Sequence, residues 1–223
     1  MKVLIRNLSL IVCLLFSLSV AAQKRVTAPP GTVQLQPSKT GAKHATYIDE
    51  REITVFAWSE FLWWTEKEYG KESTEYKSIL PDSTICLYAY SAKGGFQHLA
   101  YGNFPIVGIT YEQAVKYCAW RADRVNEVLK IKKKNYKVSY SLPTEADLKE
   151  AYVQYRITYC YPFDQPVNEL TAEKTVMIKG WRLSFEPYEE ASATVGFRSV
   201  EEIHRMIINR GLQPVYTDYI RGD

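Results

Sequence analysis

An α+β fold of helices and short strands is what this chain predicts, on three observations. Residues 110–123 carry apolar side chains at helical spacing behind a hydroxyl residue, residues 143–155 repeat that arrangement behind a proline, and short runs rich in β-branched residues lie around them. With 223 residues, 46% hydrophobic and 13% aromatic, the chain can bury one sizeable core, so a single domain is expected.

Taken in order, Met1 to Ala22 joins basic Lys2 and Arg6, an apolar centre from Leu8 to Val20 and small Ala21-Ala22, which is the composition of a secretory signal peptide. An exported chain, periplasmic or associated with an outer membrane, is the expectation. No later segment approaches the ~20 apolar residues of a membrane span, so no transmembrane segment is expected in the mature chain. Cys13 follows Ile11-Val12 rather than the small residues of a lipoprotein cleavage site, so lipidation is not expected. Residues 23–44, with Pro29-Pro30-Gly31, Pro37 and Gly41, read as a flexible leader, with order beginning near Thr46.

Glu52 to Tyr69 carries Val55, Trp58, Leu62 and Trp63 among Glu and Lys, an amphipathic helix after a short strand. Ser91 to Asn103 reads as loop. Pro105 to Ile109 is a strand or extended segment feeding a helix that Thr110 caps, with Gln113 at the capping-box position. Ala114, Val115, Cys118 and Ala119 mark its apolar face, while Glu112, Lys116, Arg121 and Asp123 can face solvent. Tyr136 to Tyr140 is a strand; after Pro143, Thr144 caps a helix from Glu145 to Tyr155, with Glu145 and Asp147 in the first turn, where the helix dipole favours them. Thr175 to Ile178 and Thr194 to Val200 read as strands. From Val200 to Arg210, Val200, Ile203, Ile207 and Ile208 recur at helical spacing, so residues 201–223 are expected to form a C-terminal helix and tail beyond a domain of residues 45–200.

Charge and cysteines narrow the function. Loss of Lys2 and Arg6 with the signal peptide leaves 26 basic against 25 acidic residues, so there is no electrostatic case for nucleic acid. The run from Lys130 to Lys134 reads as a solvated helix end or loop. Three cysteines remain, Cys86, Cys118 and Cys160, which allow at most one intramolecular disulfide, and their spacing leaves the pairing open. Cys118 reads as a buried small hydrophobe. There is no Gly-x-Ser-x-Gly, no phosphate loop, and no histidine spacing that builds a metal site from His44, His98 and His204.

The stretches Pro105-Ile106-Val107-Gly108-Ile109, Ala114 to Tyr117-Cys118-Ala119-Trp120 and Ser141-Leu142-Pro143-Thr144-Glu145-Ala146 resemble the formylglycine-generating enzyme, or sulfatase-modifying factor, family. Its pattern runs Pro-Val-Val-Gly-Val-Ser-Trp, Ala-x-x-Tyr-Cys-x-Trp and Arg-Leu-Pro-Thr-Glu-Ala-Glu-Trp. Tyr47 to Thr54, Lys179-Gly180-Trp181 and Val195-Gly196-Phe197-Arg198 are similar to further family elements in the same order. The resemblance implies a C-type-lectin-like α+β domain with two main helices, short antiparallel strands and much irregular structure. Within the family, Leu80 to Thr84 and Trp120-Arg121 look most like gliding-motility and type IX secretion lipoproteins.

Active members use a cysteine pair late in the domain to hold copper, a soft-ligand site. The corresponding segment here, Arg182 to Thr194, contains no cysteine, and Cys160 lies earlier without a close second cysteine. A family calcium site built on Asn-Val-x-Glu-Trp is matched only by Asn168-Glu169, which makes these two residues the calcium candidates. The leading expectation is therefore a non-catalytic scaffold or binding module of an envelope assembly, partnered by envelope or secretion-machinery proteins. The alternatives are an oxidase or protein-modifying enzyme that uses Cys160 as a thiol, and a lectin-like module whose Trp58, Trp63, Trp64 and Trp181 line a glycan groove.

Overall fold

Two four-stranded sheets meet at a core of stacked aromatic rings in the computed structural model, which describes residues 28–36, 45–85, 101–155, 167–179 and 183–205. The strands are β1 (Thr32–Gln34), β2 (Ala45–Asp49), β3 (Tyr136–Ser141), β4 (Asn168–Leu170), β5 (Thr175–Lys179), β6 (Leu183–Pro187), β7 (Val195–Gly196) and β8 (Val200–Arg205). The helices are α1 (Val55–Tyr69), α2 (Thr74–Lys77), α3 (Tyr111–Ile131) and α4 (Glu145–Glu150), the last continuing into a π-helical turn at Ala151–Tyr155. One sheet is ordered β1-β2-β8-β3 and antiparallel throughout. The other is ordered β6-β5-β4-β7, with β4 and β7 parallel.

Local chemistry sets the helix starts. Thr54 accepts a hydrogen bond from the Ala57 N–H, and Gly70, at φ +87°, ends α1 in a conformation that a side chain would strain. At α3 the expected capping box is present: the Gln113 N–H donates to Thr110 Oγ1 at 3.2 Å and the Thr110 N–H to Gln113 Oε1 at 2.9 Å. Thr144 and Asp147 form the same reciprocal pair at α4. Between helices, Phe104 to Ile106 pairs with Ile53 to Val55 through two backbone hydrogen bonds of 2.8 Å, so this segment is extended, as expected.

Trp58, fully buried, stands at the centre of the core. Its ring stacks on Tyr117 with centroids 5.5 Å apart and meets Phe61 and Phe197 edge-on at 5.4 and 6.2 Å, which joins α1, α3 and the segment after β7. This contact redraws the face of α3: Ala114, Tyr117 and Cys118 are buried, whereas Val115 and Ala119 are exposed. A tyrosine, scored as polar in an apolar count, takes the seam because its ring is the partner that Trp58 stacks on.

Three other expectations change. The segment from Val200 is not helical: Val200 to Arg205 is β8, the strand between β2 and β3. Its apolar spacing fits a helix, but two flanking strands supply a ladder on each side, and that tertiary pairing overrides local periodicity. The domain therefore runs past residue 200, and residues 206–223 lie outside the described residues. Order also begins before Thr46, since Thr32 to Gln34 pairs with Tyr47 to Asp49 and buries Leu35 beside Ile48. The expected strand Thr194 to Val200 is two strands, β7 and β8, separated by Phe197 to Ser199, because Phe197 turns into the aromatic core and Arg198 into a buried charge cluster. The segment expected to be a signal peptide and most of the expected loop from Ser91 to Asn103 fall outside the described residues.

Candidate functional site

Four charged side chains meet where the sheets join. Glu52 follows β2, Glu169 lies in β4, Lys179 ends β5 and Arg198 precedes β8. Lys179 Nζ is 2.8 Å from Glu52 and also pairs with Glu169; Arg198 reaches Glu52 at 3.2 Å and Glu169 at 2.9 Å. All four are almost completely buried, and Tyr152 donates to Glu169 at 3.0 Å. Burial by itself would raise the Glu169 carboxyl, but Arg198 and Lys179 outweigh it and hold it below the ordinary carboxylate range. Two acids and two bases close on one another, which makes this a structural clasp.

The clasp continues into a cleft. Arg198 donates to the Asp49 carbonyl, and the Asp49 carboxylate accepts from the Ser199 N–H and hydroxyl and, in a two-pronged contact at 2.7 and 3.1 Å, from Arg121 of α3. Arg121, expected to face solvent, instead ties α3 to the sheet and rests its guanidinium 4.5 Å over Tyr140. This pair lies at the back of a cleft of about 580 Å³ between α1, α3 and the segment Asp49 to Thr54. Along the α3 wall, Trp120 Nε1 and Arg124 Nε are buried N–H groups with no hydrogen-bond partner. Glu60 of α1 is exposed on the other side.

The residues singled out from sequence are dispersed. Cys118 is buried with a free thiol pushed up to about 12 by burial, the inert state expected of it. Asn168 accepts from the Lys179 backbone N–H and Glu169 belongs to the clasp, so both calcium candidates are committed to protein contacts, and a divalent cation at Glu169 would sit beside two positive side chains. Trp58 is core, whereas Trp63 and Trp64 are exposed and pack edge-to-face at 5.2 Å. Cys86, Cys160, His44, His98 and Trp181 lie outside the described residues. The segment matching the family's copper position offers Glu186, Tyr188, Glu189, Glu190 and Thr194 around a hollow of about 430 Å³, hard oxygen donors that do not fit a soft copper(I) ion. Among the described residues, no three His, Cys, Asp or Glu side chains converge as metal ligands.

Sequence reasoning missed the clasp and the cleft. The charge run Asp49-Glu50-Arg51-Glu52, set directly after an apolar strand, was the available signal, because four charges at a strand end need partners when the strand is central.

Two sheets held by a buried charge clasp and an aromatic seam define an α+β domain of the sulfatase-modifying-factor type. The chain matches the model of the sulfatase-modifying factor enzyme 1-like domain over residues 17–202, and it belongs to that family. No curated protein matches it. No helix among the described residues is long and apolar enough to cross a membrane.

Proposed function

We propose that this chain is a non-catalytic member of its family that serves as an exported binding or scaffold module in an envelope assembly, of the kind used in gliding motility or type IX secretion. One observation carries the reading: the family framework is intact from its capped helices to the Glu169–Arg198 clasp, while the segment Leu183 to Thr194 offers oxygen donors where catalysis needs a thiolate pair. A fold maintained without its reactive groups can still present surfaces, and function resides in such sites rather than in the fold. The basic, apolar and small-residue run before Gln23 supports export.

The test is a tagged pull-down from gently solubilised envelopes, with copper and iron analysis and an oxygen-consumption assay on a cysteine-containing peptide. Stoichiometric envelope proteins and no turnover are expected. Turnover that Cys160→Ser abolishes would replace this reading with an oxidase or protein-modifying enzyme.

A further inference from the structure

The end of α3 sets an exposed apolar side chain inside a run of unpaired positive charge. Lys130 and Ile131 close the last turn of the helix, and Lys132, Lys133 and Lys134 carry the chain away from it. All five are exposed, Ile131 at 78%, and Val128, one turn earlier on the same face, is 46% exposed. In this part of α3 it is Val125 and Leu129 that pack on the sheet, so Val128 and Ile131 are not needed for that contact.

Holding the helix end is not what the lysines do. The Lys133 N–H donates to the Lys130 carbonyl at 3.0 Å and the Lys134 N–H to the Leu129 carbonyl at 2.9 Å, a paired backbone closure that satisfies the last turn without side chains. Lys133 stands at φ +51°, the left-handed position where glycine is the easiest residue, so a positive side chain is kept there against backbone preference. Among the described residues, the ammonium groups of Lys130, Lys132, Lys133 and Lys134 make no ion pair or hydrogen bond, and Glu127, in the preceding turn, is paired with Arg124 at 2.7 Å. The helix dipole accounts for a lysine in the last turn, but it gives an exposed isoleucine no role.

Charge complementarity selects the partner. The whole chain is at a formal +3, so the attraction for a negative surface is local to this tip. The isoleucine narrows the choice. An acidic polysaccharide meets the lysines alone, whereas a lipid leaflet offers phosphate groups with hydrocarbon directly beneath them, which suits ammonium groups on flexible stems around a shorter apolar side chain. No helix among the described residues can cross a membrane, so the contact is one that rests on the surface.

We propose that the end of α3 docks on an anionic lipid surface, with Lys130, Lys132, Lys133 and Lys134 at the phosphate headgroups and Ile131, backed by Val128, in the acyl boundary. The proposal goes beyond the binding-module reading and does not depend on it.

Flotation with lipid vesicles tests it, on the chain from Gln23 onward, which lacks the apolar run before that residue and keeps every described residue. Vesicles of phosphatidylcholine with about 20% phosphatidylglycerol should bind at least about tenfold more tightly than pure phosphatidylcholine, and less so as salt is raised. Lys132→Gln combined with Lys134→Gln should weaken binding about tenfold, and Ile131→Ser about fivefold. Lys133→Gly should also weaken binding while the melting temperature stays equal or rises, because glycine fits the left-handed position; loss of binding is thereby separated from loss of fold. Equal binding to neutral vesicles, or full affinity in the lysine variants or in Ile131→Ser, overturns the proposal. So does binding to alginate or polyglutamate as tight as to the anionic vesicles. Such results leave the envelope partners to be decided by the pull-down, which reads them separately.

Discussion

At the scale of single residues, Glu169 and Gly196 show how much one position can carry. Glu169→Gln leaves Arg198 and Lys179 buried with only Glu52 to balance them, so urea denaturation should show a loss of about 3–5 kcal/mol, the cost of breaking a buried pair. The pH dependence follows in sign. The folded-state pKa of Glu169 is lowered, so its stabilisation is complete above its ordinary value near 4.5 and is lost as pH falls through the folded value. Acid titration of stability should therefore be shallower in Glu169→Gln than in the wild type; equal slopes would remove Glu169 from the acid transition. At Gly196, an added Cβ would stand 3.0 Å from the Ile106 carbonyl oxygen, a backbone atom that cannot swing aside. Gly196→Ala should lower stability by about 1–3 kcal/mol, read from the same urea transition, and an unchanged midpoint would show that the two segments part easily. The glycine of Gly-Phe-Arg is thus explained by a close backbone approach, which no count of apolar residues can show.

At the scale of elements, caps and edges decide where structure stops. The Thr110–Gln113 and Thr144–Asp147 boxes satisfy N–H groups at the starts of α3 and α4, so Thr110→Ala should cost about 1 kcal/mol in chemical denaturation. Among the described residues, strand β3 pairs with β8 on one side only. On its open side Asn126 of α3 takes the place of a strand: its amide donates to the Val138 carbonyl at 2.8 Å and accepts from the Val138 N–H at 2.9 Å. This contact occupies the backbone groups of Val138 that another chain would pair with. Asn126→Ala should expose them, and sedimentation velocity should then detect concentration-dependent association absent from the wild type. The helix starts were legible because their signals lie within four residues. The strand β8 was not, because its ladder partners, β2 and β3, are about 60 to 155 positions away and nothing local records them.

At the scale of the whole molecule, charges and rings act as ties between layers. The clasp joins the end of β2 to β4 and β5, and Asp49 joins β2 to α3 and to the start of β8, so both sheets and the longest helix share one polar network. Such coupling predicts a single cooperative transition. Cys118, buried beside the aromatic seam with its thiol pushed up to about 12, reports on it: alkylation of this thiol should follow the global unfolding rate as denaturant is raised, and rapid alkylation under native conditions would reveal local opening of α3. The cleft is a product of the same scale, since its walls come from α1, α3 and the end of β2.

The sequence by itself determined the fold class, the capped helices, the family resemblance and the lack of a thiol pair between Arg182 and Thr194, because each is written in neighbouring residues or in their types. Only the tertiary structure decided that Val200 to Arg205 is a strand, that the partly buried Arg121 and the fully buried Arg198 are ties between segments, and that Trp120, Arg124 and Glu60 surround one cleft. The physical reason is range. Caps and periodicity act through adjacent turns, whereas ladders, buried ion pairs and clefts exist only between segments distant in sequence, whose meeting is set by how the whole core packs.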